Sequence, residues 1–144
     1  MVNVVREFTV QADPAAVVDY LKDFSHAEKW DPGTKACVRK DAGEIAVGSQ
    51  WDNTSKILGN TSELVYELVE LRKDGVKFKG TNPQCVAYDI IDVTPAPEGA
   101  KVRYEADITL KGAAKLADPA IKVFFEAKVA KEVVEGLTRE LESL

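Results

Sequence analysis

The chain has 144 residues, 45% hydrophobic and 30% charged, a mix that excludes a disordered chain and fits one globular domain over residues 1–144. Its net charge of −5 argues against nucleic acid as a partner, which wants a basic face, and against a polybasic membrane anchor. No apolar run approaches the roughly 18 residues of a membrane span, so no integral membrane association is expected.

The opening segment, MVNVVREFTV, carries Arg6 and Glu7 inside its apolar stretch and does not read as a signal peptide. Val2 to Gln11 alternates as a strand, with Phe8 and Val10 on one face. Asp13-Pro14 signals a helix start, and Val17, Leu21 and Phe24 form its apolar stripe. Ser25 to Glu28 has the S-x-x-E spacing of a capping box, which predicts a second short helix ending at Trp30, before Asp31-Pro32-Gly33.

From Thr34 to Lys111 the chain reads as strands and turns. Short or longer strands are expected over 35–40, 48–57, 62–71, 76–80 and 84–94, with turns at Gly59-Asn60 and Asp74-Gly75. The last strand, after Gly99, alternates most cleanly: Val102, Tyr104, Ala106, Ile108 and Leu110 face one way. Residues 118–144 have helical composition, with Pro119 at the start and Phe124, Ala127, Ala130, Val134, Leu137 and Leu141 in steps of three or four. Val123, Phe125 and Val129 widen its apolar face, so the first half of this helix is expected to be the more enclosed. The whole predicts an α+β protein: a curved antiparallel sheet of about seven strands, two short helices after strand 1, and one long C-terminal helix covering the sheet. A curved sheet around one helix leaves a hollow suited to apolar ligands.

This pattern resembles the SRPBCC superfamily, the START-like helix-grip fold, and within it the polyketide cyclase/dehydrase and lipid-transport branch. The likeness lies in VREFTVQADPAAVVDYLKDFSHAEKWDPG, in VGSQWDNTSKILGNTSELVYELVEL, and in EGAKVRYEADITLKG followed by KLADPAIKVFFEAKV and GLTRELESL. The resemblance implies a fold and a cavity, and much less about a reaction, because fold alone does not supply function.

Metal and nucleophile chemistry find little support. One histidine, His26, and two distant cysteines, Cys37 and Cys85, cannot build an ordinary zinc site or a triad, and no phosphate-cradling glycine loop is present, so neither metal nor cofactor is expected. The cysteines read as reduced thiols of a cytoplasmic protein. The catalytic candidates are Asp89 and Asp92, on a strand apolar on both faces, where an inward carboxylate beside aromatic rings would serve as a general base. The cavity candidates are Trp51, Asn53, Tyr66, Phe78, Tyr88, Tyr104, Phe124 and Phe125, in which aromatic residues recur on five successive strands and on the helix.

These features support binding or transport of a hydrophobic small molecule (a lipid, quinone, sterol-like or aromatic polyketide-like compound). The alternatives are a polyketide cyclase, aromatase or dehydratase acting through acid/base residues in the same cavity, and a protein-interaction module whose cavity is filled. An inward carboxylate touching a tyrosine, with a raised pKa, favours the enzyme; a wide, carboxylate-free apolar pocket favours the carrier; a cavity filled by Tyr66, Tyr88 and Phe125 favours the interaction module. Lys35, Arg39 and Lys40 discourage pairing at one sheet edge, and the oligomeric state stays open.

Overall fold

Period-two alternation drives nearly half of the chain into one sheet. The computed structural model describes residues 1–144. Seven strands form: β1 (Val2–Val10), β2 (Thr34–Arg39), β3 (Gln50–Ile57), β4 (Asn60–Arg72), β5 (Gly75–Asn82), β6 (Cys85–Ala96) and β7 (Gly99–Leu110). Their order is β1-β7-β6-β5-β4-β3-β2, and every neighbouring pair is antiparallel. A register shift between Leu68 and Glu70 in β4, and another in β2, bend the sheet as bulges do. β6 runs on through Pro95 because its partner β5 ends opposite Asp92, so no donor is demanded there from that side.

Two turns differ by one residue from the expected positions. The β3–β4 turn is Leu58-Gly59 rather than Gly59-Asn60, with both residues at positive φ (52° and 82°), the pairing a tight primed turn requires. A leucine in this left-handed region costs on the order of 1 kcal/mol, and Leu58 stays about half exposed. The β4–β5 turn is Lys73-Asp74, and Gly75 opens β5. A side chain at Gly75 would meet the Ile91 carbonyl at 2.4 Å, so the glycine serves close strand approach.

Helix α1 (Pro14–Leu21) begins as expected, with the Asp13 carboxylate accepting from Ala16 N at 3.1 Å. The capping box does not form. A 3-10 turn, Phe24–His26, starts instead at Asp23, and α2 (Ala27–Trp30) follows. Glu28, freed from the helix end, accepts from Cys37 N in β2 at 2.7 Å.

The C-terminal helix departs most from its sequence pattern. A 3-10 segment (Gly112–Ala117) leads into α3 (Asp118–Phe124), a π-helical segment (Phe125–Val129) and α4 (Ala130–Leu141). The first half is the less enclosed one, contrary to expectation: α3 buries no residue, and Val123 is 65% exposed. The buried face runs Phe125, Val129, Val133, Leu137, Leu141. Steps of four overshoot the 3.6-residue period by about 40° each. The wider π turn takes up part of that drift and turns Phe125, not Phe124, toward the sheet. At the other end Gly136 lets α4 lie on α2, since a β-carbon there would sit 2.5 Å from the Trp30 carbonyl.

Candidate functional site

The space between sheet and helix has two ends. One is filled. Phe24 enters from the turn before α2 and touches Trp30, Trp51, Tyr66 and Phe78, with ring centroids 4.4 to 6.3 Å apart. The Trp51 indole donates to Asp23 Oδ1 at 3.2 Å, so even its polar atom is satisfied. Burial opposes the charge of Asp23, but hydrogen bonds from Ser25 and Trp51 and the nearby His26 outweigh it and hold the carboxyl below its ordinary pKa.

The other end is hollow, with a cavity of about 180 Å³. Its wall is mostly apolar, 15 of 21 residues, which decides that a guest there must be largely apolar too. Small residues on the strands, Ala87 and Ala106, leave the room; Phe125 and Val129 close it from the π segment. The exposed Leu58, Asn60 and Ala117 mark a mouth between the β3–β4 turn and the start of the C-terminal helix.

Polar groups gather where the hollow meets the filled end. Asp89 faces inward from β6 and is 8% exposed. Tyr104, from the adjacent β7, donates to Asp89 Oδ1 at 2.9 Å. Burial, reinforced by the neighbouring Asp31 and only partly countered by the tyrosines, pushes the Asp89 carboxyl up to about 7. Asp31 comes from the turn after α2. Its Oδ1 accepts from Gly33 N at 3.0 Å and its Oδ2 from the Thr34 hydroxyl at 2.9 Å. Burial raises its pKa as well, against those two bonds and the Lys35 charge. Asp31 retains some accessible surface because it faces the hollow, while protein encloses it on every other side. Tyr66 and Tyr104 are held neutral, their pKa values raised well above 10 by burial and the neighbouring carboxylates.

Two devices hold this cluster. Tyr66 lies flat over β5 because Gly80 is opposite: a β-carbon there would fall 2.5 Å from Tyr66 Cζ. A chain of hydrogen bonds runs from the Ser55 hydroxyl to Asn53 Oδ1 (2.6 Å), from Asn53 Nδ2 to Thr34 Oγ1 (3.3 Å), and from Thr34 to Asp31. It fixes the orientation of the Asp31 carboxylate.

The sequence candidates separate accordingly. Tyr66, Tyr104, Phe125 and Asp89 border the hollow together. Trp51 and Phe78 do not; they point inward but are consumed by Phe24 at the filled end. Asn53 is buried behind the wall and acts through Thr34. Tyr88 borders the hollow only through its main chain, because alternation with Asp89 sends its ring to the outer face, 5.0 Å beneath Lys77 Nζ. Phe124 is half-buried, edge-on to Phe125, and outside the lining. Asp92 lies on the outer face, paired with Arg72 at 2.7 Å, which removes it as a catalytic candidate. Asp31 is the residue that sequence reasoning misses. In sequence it is only the first residue of a helix-ending turn, and nothing local shows that β6 will bring Asp89 beside it.

Chemically, the cluster can accept hydrogen bonds from a guest and can take up or release a proton near neutral pH, since the Asp89 carboxyl titrates at about 7. Among the lining residues there is no lysine, arginine or histidine. No group of histidine, cysteine and carboxylate side chains is arranged to hold a metal ion. No helix is long and apolar enough to cross a membrane.

Comparison with known proteins agrees with this architecture. The chain is similar to a START superfamily protein from Mycobacterium smegmatis, with TM-score 0.78 and 14% identity over 98% of this chain and 97% of that one. It is similar to the di-domain ARO/CYC StfQ from the steffimycin biosynthetic pathway, with TM-score 0.72 and 14% identity over 99% of this chain and 51% of that one. It also resembles a protein from Thermus thermophilus, TTHA0849, with TM-score 0.71 and 16% identity over 99% of this chain and 94% of that one. At such identities these likenesses establish the START-like helix-grip fold alone. No curated protein sequence matches significantly. A family profile matches residues 1–144 in full, and the chain belongs to the polyketide cyclase/dehydrase and lipid transport family.

Proposed function

We propose that this protein binds an apolar small molecule in the hollow between its sheet and its C-terminal helix. The observation that carries this reading is the cavity itself: about 180 Å³, mostly apolar, open at a mouth, and left unfilled by the aromatic residues around it. A cavity of roughly 150 Å³ lined by aliphatic side chains is known to take up benzene, so this volume suits a compact guest and is small for a two-chain lipid. Among the ligand classes that the sequence allows, the volume supports a ring compound over a phospholipid.

Asp89 favours a second reading. An inward carboxylate touching Tyr104, with a pKa raised to about 7, is the group a proton-abstracting cyclase or dehydratase would use. In that reading Asp89 is the general base and the bound molecule is a substrate; binding is common to both. The filled-cavity interaction module is the weakest of the three, because the hollow persists and Tyr88 points away from it.

Native mass spectrometry of the protein purified from cells, followed by extraction of any bound compound, tests the reading. A near-stoichiometric apolar compound is the expected result. Failure of the apo protein to bind a fluorescent apolar probe in competition with small ring compounds would overturn it.

A further inference from the structure

The charge balance of the hollow identifies its guest more closely. Asp31 and Asp89 both border the cavity, and no basic side chain lines it. Asp89 accepts from the Tyr104 hydroxyl at Oδ1. Tyr66, 8% exposed and on the same wall, holds its hydroxyl toward the same carboxylate, so the donors that the protein offers Asp89 are two neutral tyrosines. Both carboxylates are thus presented to the interior of a largely apolar chamber without a counter-cation on its wall. In such surroundings Coulomb interactions are many-fold stronger than in water. Once Asp89 has lost its proton, above pH 7, an anionic head group there meets like charges and no donor stronger than a tyrosine hydroxyl.

We infer that the hollow selects an apolar ring compound bearing one protonated amine, seated against Asp31 and Asp89, and rejects compounds with a carboxylate or phosphate head. This rests on the reading that the hollow holds a guest. The ammonium supplies the positive charge that the two tyrosine donors lack and replaces the proton that the empty pair keeps to limit its own repulsion. Binding near pH 6 therefore displaces a proton from Asp89 to solvent, while the guest keeps its own. The titratable groups around Asp89 are Asp31, Tyr66 from β4 and Tyr104 from β7, with Cys85 farther along the same face of β6; the C-terminal helix and the segment before it bring only the uncharged Ala117, Ile121, Phe125 and Val129 to the lining.

The test uses the purified full chain and three matched probes: 1-naphthylmethylamine, 1-naphthalenemethanol and 1-naphthoate. Affinities are measured by fluorescence at low salt, and proton exchange by calorimetry in two buffers of different ionisation enthalpy. The expected result is amine binding roughly ten- to a hundredfold tighter than alcohol, the size of a hydrogen bond to a charged group. Naphthoate is expected to bind weakest at pH 8, where Asp89 is ionised, and proton release near pH 6 is expected with the amine only. In Asp89→Asn, and separately in Asp31→Asn, the amine-to-alcohol ratio falls toward one, with cooperative melting confirming that each variant is folded. Alcohol binding as tight as amine, or naphthoate binding as tight as amine, overturns the amine preference and leaves the apolar-cavity reading standing. Binding of none of the three overturns both.

Discussion

The two ends of the interior are built from similar residues and behave in opposite ways. At the filled end Phe24, Trp30, Trp51 and Phe78 interlock, and the one carboxylate, Asp23, is held ionised by hydrogen bonds. At the hollow end alanines replace large side chains on the inward strand positions, and the carboxylates Asp31 and Asp89 are pushed toward their neutral forms. The difference teaches that burial alone does not set the state of an aspartate here. Burial and the supply of donors act together: Asp23 keeps part of its side chain in solvent and receives the Ser25 amide, the Ser25 hydroxyl and the Trp51 indole, whereas Asp89 is almost fully buried, has only tyrosine hydroxyls as donors and faces Asp31, which burial pushes up despite its own two hydrogen bonds.

The largest expected effect comes from breaking the filled end. Phe24→Ala removes the ring that all the others touch, and urea denaturation is expected to show a loss of about 3–5 kcal/mol. If the loss is as small as for an exposed site, the two ends are packed alike and the contrast fails.

Titration sharpens the same contrast. Asp89 has its folded pKa raised to about 7, so the folded protein holds a proton there that the unfolded chain has lost. Its stabilising contribution is complete below the ordinary carboxylate pKa of roughly 4, declines at up to about 1.4 kcal/mol per pH unit, and is gone above pH 7. Asp23, with its depressed pKa, contributes in the opposite sense: present above the ordinary carboxylate range and lost as pH falls through its folded value. Denaturation midpoints measured from pH 4 to 8 are therefore expected to fall with rising pH in the native protein. In Asp89→Asn the fall should shrink to the share contributed by Asp31.

Gly136→Ala tests how the filled end positions the hollow one. The added β-carbon meets the Trp30 carbonyl, one residue before Asp31. A net loss of about 1–3 kcal/mol is expected by thermal or urea denaturation despite alanine's better helix propensity, together with weaker guest binding. Ala106→Leu instead fills the hollow from β7. It should reduce binding of an apolar probe at least about tenfold while changing stability by less than about 1 kcal/mol, because the space it enters is already there. Asp92→Ala should do least. Its bridge to Arg72 lies on the outer face, and its loss is expected to cost under about 1 kcal/mol and leave binding unchanged.

Much of this molecule is legible in the chain. Alternation places Tyr104 and Ala106 on the inward face of β7, and Asp13-Pro14 starts α1 where the local chemistry requires. The strand number and element order follow from turn residues and periodicity, both of which are local properties. Sequence reasoning fails where the decision is made across the fold. Glu28 has capping-box spacing but finds a better donor in Cys37 N on β2. Phe124 and Phe125 are adjacent and alike, and only the π turn selects Phe125 for the cavity.

By itself, then, the amino-acid sequence determined the sheet, the covering helix and the aromatic character of the interior, because each depends on neighbours within a few residues, and it left open which aspartate of β6, if either, faces inward. Tertiary structure decided which aromatics fill and which line, that Asp92 is a surface ion-pair partner, and that Asp31 meets Asp89. The physical reason is distance along the chain. Asp31 lies in the turn before β2 and Asp89 in β6, four strands away across the meander, and their electrostatic coupling exists only once the curved sheet has brought both to one cavity.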